Sequence, residues 1–476
     1  MEQHCKSFLV SFIVLLMGIS LSSQNVTISN EINVRNDRLY EIVGQVEDRV
    51  VLYRENGEKK TYSYYDDKLG FVYDRDIILE SKRAIVMANI TYDSTIHLVY
   101  NYSLDTNYTV LRRYDKTGTC LDTNLLYYSN DIFDFREFKL ISSEDKSKSV
   151  ILNFNFKEGL VLRMIDHKQK SVPYIYNIPV DDRKNIKQYI SMELSNDGLV
   201  YILFEKNNSR YSRDRHEFYL LSFNLKTGEY IEELIPCYDI VTVDLKTVYD
   251  NRNEVYNIIG LYSEKDRNRA EGVYHFRKSG IFRDTANYIL LNEFDDYFYK
   301  ELYKDKIKEK LDNHRIKYIQ LTNDGGVILL SEFNKIFSRR SPFQGYGGAT
   351  ANTGAWTDHY VEEVVILSLS PKLDIRWKNI LLKKQFSQDD GGVYSSFFLF
   401  ELPSRFKLIF NDDIKSNNMV SEFELYPTGK LIRKSLLSTE YQKLKIRFDG
   451  ALQTSNNSFL VPSEKSGKLK IVKVTF

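Results

Sequence analysis

Val364–Leu382 reads VVILSLSPKLDIRWKNILL, a β-rich run, a four-residue turn and a second β-rich run that restarts at Ile375. The same unit returns as FYLLSFNLKTGEYIEELIP from Phe218, as VSEFELYPTGKLIRKSLL from Val420, and more loosely as TVLRRYDKTGTCLDTNLL from Thr109. The turns Pro371–Asp374, Leu425–Gly429, Leu225–Gly228 and Asp115–Gly118 carry the Pro, Gly, Asp and Lys of tight hairpins, where some positions need a positive or a fixed φ. One supersecondary unit repeated along a chain is a repeat signature, here the outer hairpin of a propeller blade.

Inner hairpins precede these outer ones. Two β runs flank Ser195-Asn196-Asp197-Gly198, Asn323-Asp324-Gly325-Gly326 and Pro403-Ser404, and Asn-Asp-Gly between apolar runs is a strong hairpin signal. Pairing inner with outer hairpins gives blades over 38–79, 84–128, 137–179, 188–236, 240–290, 316–382, 395–438 and 448–476. The reading is therefore an all-β, closed β-propeller of about eight four-stranded blades, with seven blades, a β-sandwich or an open solenoid as alternatives. The last unit has room for three strands, and Val26–Val34 is a strand left over ahead of the first blade. Adding it to the last blade closes the ring and hides an edge that would otherwise template aggregation.

Ahead of this domain, Met1–Ser23 has one early cation, Lys6, an apolar run from Phe8 to Leu21, and the small residues Ser22 and Ser23. This is the pattern of a signal peptide, and the run of about 14 residues is short of the ~20 that cross a bilayer. The expectation is an exported protein, periplasmic, outer-membrane-associated or extracellular, with residues 24–476 as one domain and no membrane span in the mature chain. Cys120 and Cys237 remain, two blades apart and expected unpaired, since a disulfide needs Cα atoms within about 7 Å.

With 66 basic and 65 acidic side chains the formal charge is +1, which removes the electrostatic case for nucleic acid. No HExxH, P-loop, GxSxG or zinc-spaced Cys pair occurs, and the seven His are scattered; the sequence offers no catalytic residues, metal ligands or cofactor site. The doublets Asp66-Asp67, Asp181-Asp182, Asp295-Asp296, Asp389-Asp390 and Asp412-Asp413 have the composition of paired catalytic acids, but adjacent Asp at strand ends usually form turns and helix caps.

Two insertions interrupt the blade spacing. In Phe294–Asp312, Phe294, Phe298 and Leu302 form one row at spacing four and Tyr299, Tyr303, Ile307 and Leu311 another, an amphipathic helix. Lys335–Asp358 reads as a long loop rich in Gly, Ala and Thr that carries Phe343, Tyr346 and Trp356; loops this long usually have a function or no order. Strand direction puts both on one face of the ring, the face of the second-to-third-strand loops and of the blade-to-blade connections. The same rule sends Lys206–Arg215, with Arg210, Arg213 and Arg215, and Ser263–Gly272, with Arg267 and Arg269, to that face, where Arg339 and Arg340 join them. Arg forks with exposed aromatics favour recognition. A protein partner in the envelope is the expected ligand, with a glycan-active or lectin-like channel mouth as the alternative.

Tyr360–Gln385, Tyr394–Phe398, Phe410-Asn411-Asp412 and the closing LKIVKVTF from Leu469 resemble the uncharacterised secreted propeller-repeat proteins of Gram-negative bacteria. The resemblance covers the C-terminal third by motif and the rest by repeat logic. It implies a propeller fold and export, and brings no site residues with it.

Overall fold

The protein is described by a computed structural model covering residues 24–129, 138–155, 159–168, 174–178, 189–208, 216–237, 240–280, 289–303, 310–340, 355–412, 414, 419–438 and 444–476. It is an all-β propeller of eight antiparallel four-stranded blades. Blades 1 to 7 span residues 39–76, 85–129, 138–178, 189–236, 241–293, 314–381 and 398–438. Each is built from consecutive strands because short polar turns return the chain at once. The Ser195–Gly198 turn shows the local cause: Ser195 Oγ accepts the Leu199 amide at 2.8 Å, and Gly198 takes a positive φ of 94° that a side chain would resist.

Blade 8 is made from both ends of the described chain. Leu452–Ser455, Ser458–Lys465 and Lys468–Thr475 form three strands, and Asn25–Ile28 adds the fourth, antiparallel to Lys468–Thr475 with Thr27 opposite Lys473. Ile32–Asn33 pairs further along the same strand. The leftover N-terminal strand therefore closes the ring.

Strands alternate their side chains between two faces, so every blade is apolar on both and packs on each neighbour. Eight clusters of buried apolar residues result, one in each seam between adjacent blades. The seam between blades 8 and 1, with Leu460, Leu469 and Ile471 against Val50 and Leu52, is as apolar as the others. Tyrosines fill several seams: Tyr201 stacks on Tyr256 at 4.6 Å between blades 4 and 5, and Tyr62 meets Tyr114 edge-on at 5.5 Å between blades 1 and 2.

The first insertion is shorter as a helix than its periodicity suggests. The described helix is Asp296–Tyr303, residues 304–309 lie outside the described residues, and Leu311–Asp312 are a strand rather than helix, paired with Arg269–Ala270. Asp295 Oδ1 accepts the Phe298 amide at 2.7 Å, so the doublet Asp295-Asp296 caps the helix. Phe294, Phe298, Tyr299 and Leu302 enter the core between blades 5 and 6. No helix among the described residues is long and apolar enough to cross a membrane.

Candidate functional site

The second insertion departs from the expected loop. The second and third strands of blade 6, Val327–Arg340 and Ala355–Leu369, run far beyond the blade as one hairpin, in register from Asn334↔Val361 to Arg340↔Ala355. Residues 335–340 and 355–358 are therefore strand, and 341–354 lie outside the described residues. Lys335–Arg340, KIFSRR, shows no strict alternation and runs into a Gly-rich segment, so the sequence does not mark this part of the ladder. A short strand, Gln385–Gln388, adds to the far side of the hairpin by pairing with Asp358–Val361.

Three segments are joined on this face by backbone hydrogen bonds. The Asn313 amide donates to Asn268 at 2.7 Å and the Asn334 amide to Asn313 at 2.9 Å. The blade 5 loop carrying Arg267 and Arg269, the chain behind the helix and the base of the hairpin are thus neighbours, as strand direction requires.

Of the expected site residues, Arg210, Arg213, Arg215, Phe343 and Tyr346 lie outside the described residues. Arg340 ends the Val327–Arg340 strand. Arg267 is exposed, and Arg269 pairs with Asp266 at 3.0 Å and reaches Asp312 at 3.9 Å. Arg339 pairs with buried Asp358 at 2.5 Å and donates to the Tyr360 hydroxyl at 3.3 Å. Trp356 sits directly across the ladder from Arg339. The structure brings Arg339 and Trp356 together, and Arg267 and Arg269 beside the strand that precedes blade 6. The expected concentration of free positive charge is reduced, because Arg269 and Arg339 both hold carboxylates.

Where the hairpin leaves the ring, a cavity of about 240 Å³ opens between the inner ends of blades 6, 7 and 8, lined in part by Arg315, Lys317, Ile336, His359, Gly392 and Asp449. Beneath it Lys383 Nζ meets Glu332 Oε1 at 2.9 Å and donates to Gln385 Oε1 at 2.8 Å, while the Ser396 hydroxyl donates to Glu332 Oε2 at 2.6 Å. Burial pushes the Lys383 amine down and the Glu332 charge opposes it. Both side chains are buried and partnered, so this is a brace that ties Gln385–Gln388 to the blade rather than a free nucleophile. Asp389 and Asp390 serve as turn caps here: Asp389 Oδ1 accepts the Thr357 amide at 2.8 Å and Asp390 Oδ1 the Gly392 amide at 2.9 Å.

The opposite mouth of the channel differs. A cavity of about 480 Å³ is lined by Glu144, Glu193, Asn251, Arg252, Gln320 and Glu401 among others. Burial pushes Glu193 up to about 7, against a 2.7 Å hydrogen bond from Thr247. Burial and then the Glu144 charge raise Glu401. Glu193 and Glu401 stand alone near strand ends and Glu144 is followed by Asp145 in a turn, so no shared motif marks the three in sequence.

No protein-family model matches the chain, and no curated protein does. Among solved structures it is similar to the β-propeller domain of the Trilobed protease from Pyrococcus furiosus, described as having an open velcro topology, at 9% identity and TM-score 0.37 over 87% of this chain and 98% of that one. An uncharacterized protein from Listeria monocytogenes EGD-e matches at 12% identity and TM-score 0.35 over 84% and 95%. Prolyl endopeptidases match at 8% identity and TM-score 0.40 over 93% of this chain; the chain spans 55% of their length. The eightfold count comes from the hydrogen-bonded ladders themselves: this chain is an eight-bladed β-propeller.

Proposed function

We propose that this propeller is a non-catalytic protein-interaction module, exported to the envelope or exterior, that binds its partner through the face carrying the blade 6 hairpin. An accessory or plug-like subunit of an outer-membrane export or surface machine fits this reading. The observation that carries it is the hairpin: it extends past the ring, is braced by a third strand, and leaves Ile336, Phe337 and Trp356 at 61%, 49% and 41% exposure. Exposed aromatic and aliphatic groups beside arginine are what interface centres use. Export is supported by the Met1–Ser23 pattern. The test is replacement of Ile336–Thr357 by a short Gly-Ser linker, followed by affinity purification from the host envelope. The expected result is an unchanged melting temperature and loss of the co-purified partner; an intact co-purified set would overturn the reading.

A second reading, a glycan-active enzyme or lectin at the other mouth, is favoured by the Glu193 carboxyl held near 7 in a roomy cavity that Glu144 and Glu401 also line. Its test is binding and hydrolysis of an oligosaccharide panel, with loss in Glu193→Gln expected. Unchanged behaviour of that variant would discard it.

A further inference from the structure

We propose that the open edge of Lys335–Arg340 is a docking site for an extended acidic segment of another protein, taken up as an added β-strand. The inference rests on the reading of this face as an interaction surface and names how the surface works.

The direction of the backbone comes first. The Asn334 amide donates away from the hairpin partner, to Asn313. Strand groups alternate in direction, so Ile336, Ser338 and Arg340 also point their N–H and C=O outward, and Lys335, Phe337 and Arg339 point theirs at the partner strand. The far side of the hairpin agrees independently: Thr357 faces the other way, accepting the Asp389 amide at 3.0 Å, as the ladder requires of a residue opposite Ser338. Beyond Asn313, no described strand pairs with this outward edge. Asn334 to Arg339 are all exposed.

The edge lies where the innermost strand of blade 6, His314–Leu321, leaves off. That strand pairs with Val327–Arg340 only as far as His314↔Phe333. A strand added beyond Asn313 would continue the line of the innermost strand outward from the ring, with the 240 Å³ cavity beside it and Ile336 shared between the two. Main-chain hydrogen bonds supply affinity in such additions, and alternate side chains supply specificity.

Charge selects the occupant. The segment KIFSRR holds Lys335, Arg339 and Arg340 and no carboxylate; Arg315 and Lys317 line the adjoining cavity, whose carboxylates Glu332 and Asp449 are paired with Lys383 and Arg447. Asp358 offsets Arg339 alone. A second copy of this chain pairing edge to edge would double the cations in one ribbon, the device by which native edges refuse themselves. A strand alternating acidic and β-branched residues satisfies the same edge, with its acids on the face of Lys335 and Arg339 and its apolar side chains on the face of Ile336.

The experiment uses the full mature chain and a fluorescent, end-blocked ten-residue peptide alternating Glu and Val, read by anisotropy, with a Lys–Val peptide as comparison. Saturable binding of the Glu–Val peptide alone is expected, weakened at least tenfold by Ser338→Pro, which removes an outward donor. Lys335→Glu should shift preference toward the Lys–Val peptide. The proposal is overturned if the Glu–Val peptide fails to bind, if both peptides bind Ser338→Pro undiminished, or if Ser338→Pro unfolds the protein, since that would mean the amide is already used. It is equally overturned if the parent self-associates and Ser338→Pro abolishes that, which assigns the edge to a second copy. A peptide failure combined with partner loss in the linker variant rejects the added strand and leaves the interaction face standing.

Discussion

Blades 6 and 8 each carry a strand segment that departs from the run of four consecutive strands of ordinary length, and they use it in opposite ways. In blade 8 the extra strand, Asn25–Ile28, covers the outer edge of Lys468–Thr475 and so removes an edge. In blade 6 the extra length of Val327–Arg340 outruns its inner neighbour and so creates one. Apolar burial separates the two cases. Val26 and Ile28 pack on Phe459, Val472 and Val474, and Val34 is buried beside Leu469 and Ile471, whereas Ile336 and Phe337 stay exposed. A strand added for stability pairs its ladder and packs its apolar side chains on a seam; a strand added for recognition leaves both available.

The most severe way to break this contrast is to trim the chain to begin at Arg35. Val26, Ile28, Ile32 and Val34 leave two seams at once, and at ~1.5–3 kcal/mol for a fully buried side chain their partial burial amounts to about 4–8 kcal/mol. That is comparable with the ~5–15 kcal/mol by which native domains are stable. Thermal unfolding should fall by about 5–15 °C and light scattering should rise through the freed edge. A trimmed protein that melts like the parent would mean that the closure is decorative.

The seam between blades 2 and 3 supplies an ordinary interface against which to measure the closure. His97 Nδ1 and His167 Nδ1 lie 2.6 Å apart, with Thr95 and Ser149 hydroxyls at 2.8 Å from the outer nitrogens. Burial lowers His97 to about 3 and His167 to about 4; Arg113 acts in the same direction on both, and Asp122 and Asp166 oppose it. Both folded values lie below the ~6.5 of an unfolded histidine. Their contribution is present above about pH 6.5 and is lost as the pH falls toward 3–4, because the unfolded chain takes up protons that the folded pair refuses. At about 1.4 kcal/mol per unit of displacement the loss should reach several kcal/mol for the pair, and substituting His97→Asn should flatten the decline. Hydrogen exchange at pH 4 should open blades 2 and 3 before the closure strands, and the reverse order would show the closure to be the weaker seam.

The blade frame is legible in the sequence because hairpin chemistry is local. Asn196-Asp197-Gly198 and Pro371–Asp374 announce their turns without reference to the rest of the fold, and the three-strand deficit of the last blade needs only arithmetic. The working face is less legible. Strand direction brings the helix, the Arg267–Arg269 loop and the hairpin to one side, yet KIFSRR reads as a loop because nothing local says that it pairs with AWTDHY fifteen or more residues later. The ion pairs of Arg269 with Asp266 and of Arg339 with Asp358 are likewise contacts that only register reveals. The carboxylates Glu144, Glu193 and Glu401 come from three blades and meet only because the ring closes.

The finest distinction between the two added strands is one substitution made in each. Ile471 faces the N-terminal strand, accepting the Ser29 amide at 2.9 Å, so by alternation Lys473 faces it too and the Thr27 amide is a ladder donor. Thr27→Pro removes that donor from a paired edge and should destabilise by about 1–3 kcal/mol, the cost of leaving a partner unmet. Ser338→Pro removes an amide that points to solvent, at a sheet edge where proline is tolerated, and should leave the melting temperature within experimental error. Both positions are strand residues near the rim of the ring, so propensity predicts equal harm. Only the use of the amide predicts unequal harm. Equal losses would show that Lys335–Arg340 is covered on its outer edge as Lys468–Thr475 is, and the opposition between a blade that hides an edge and a blade that offers one would collapse.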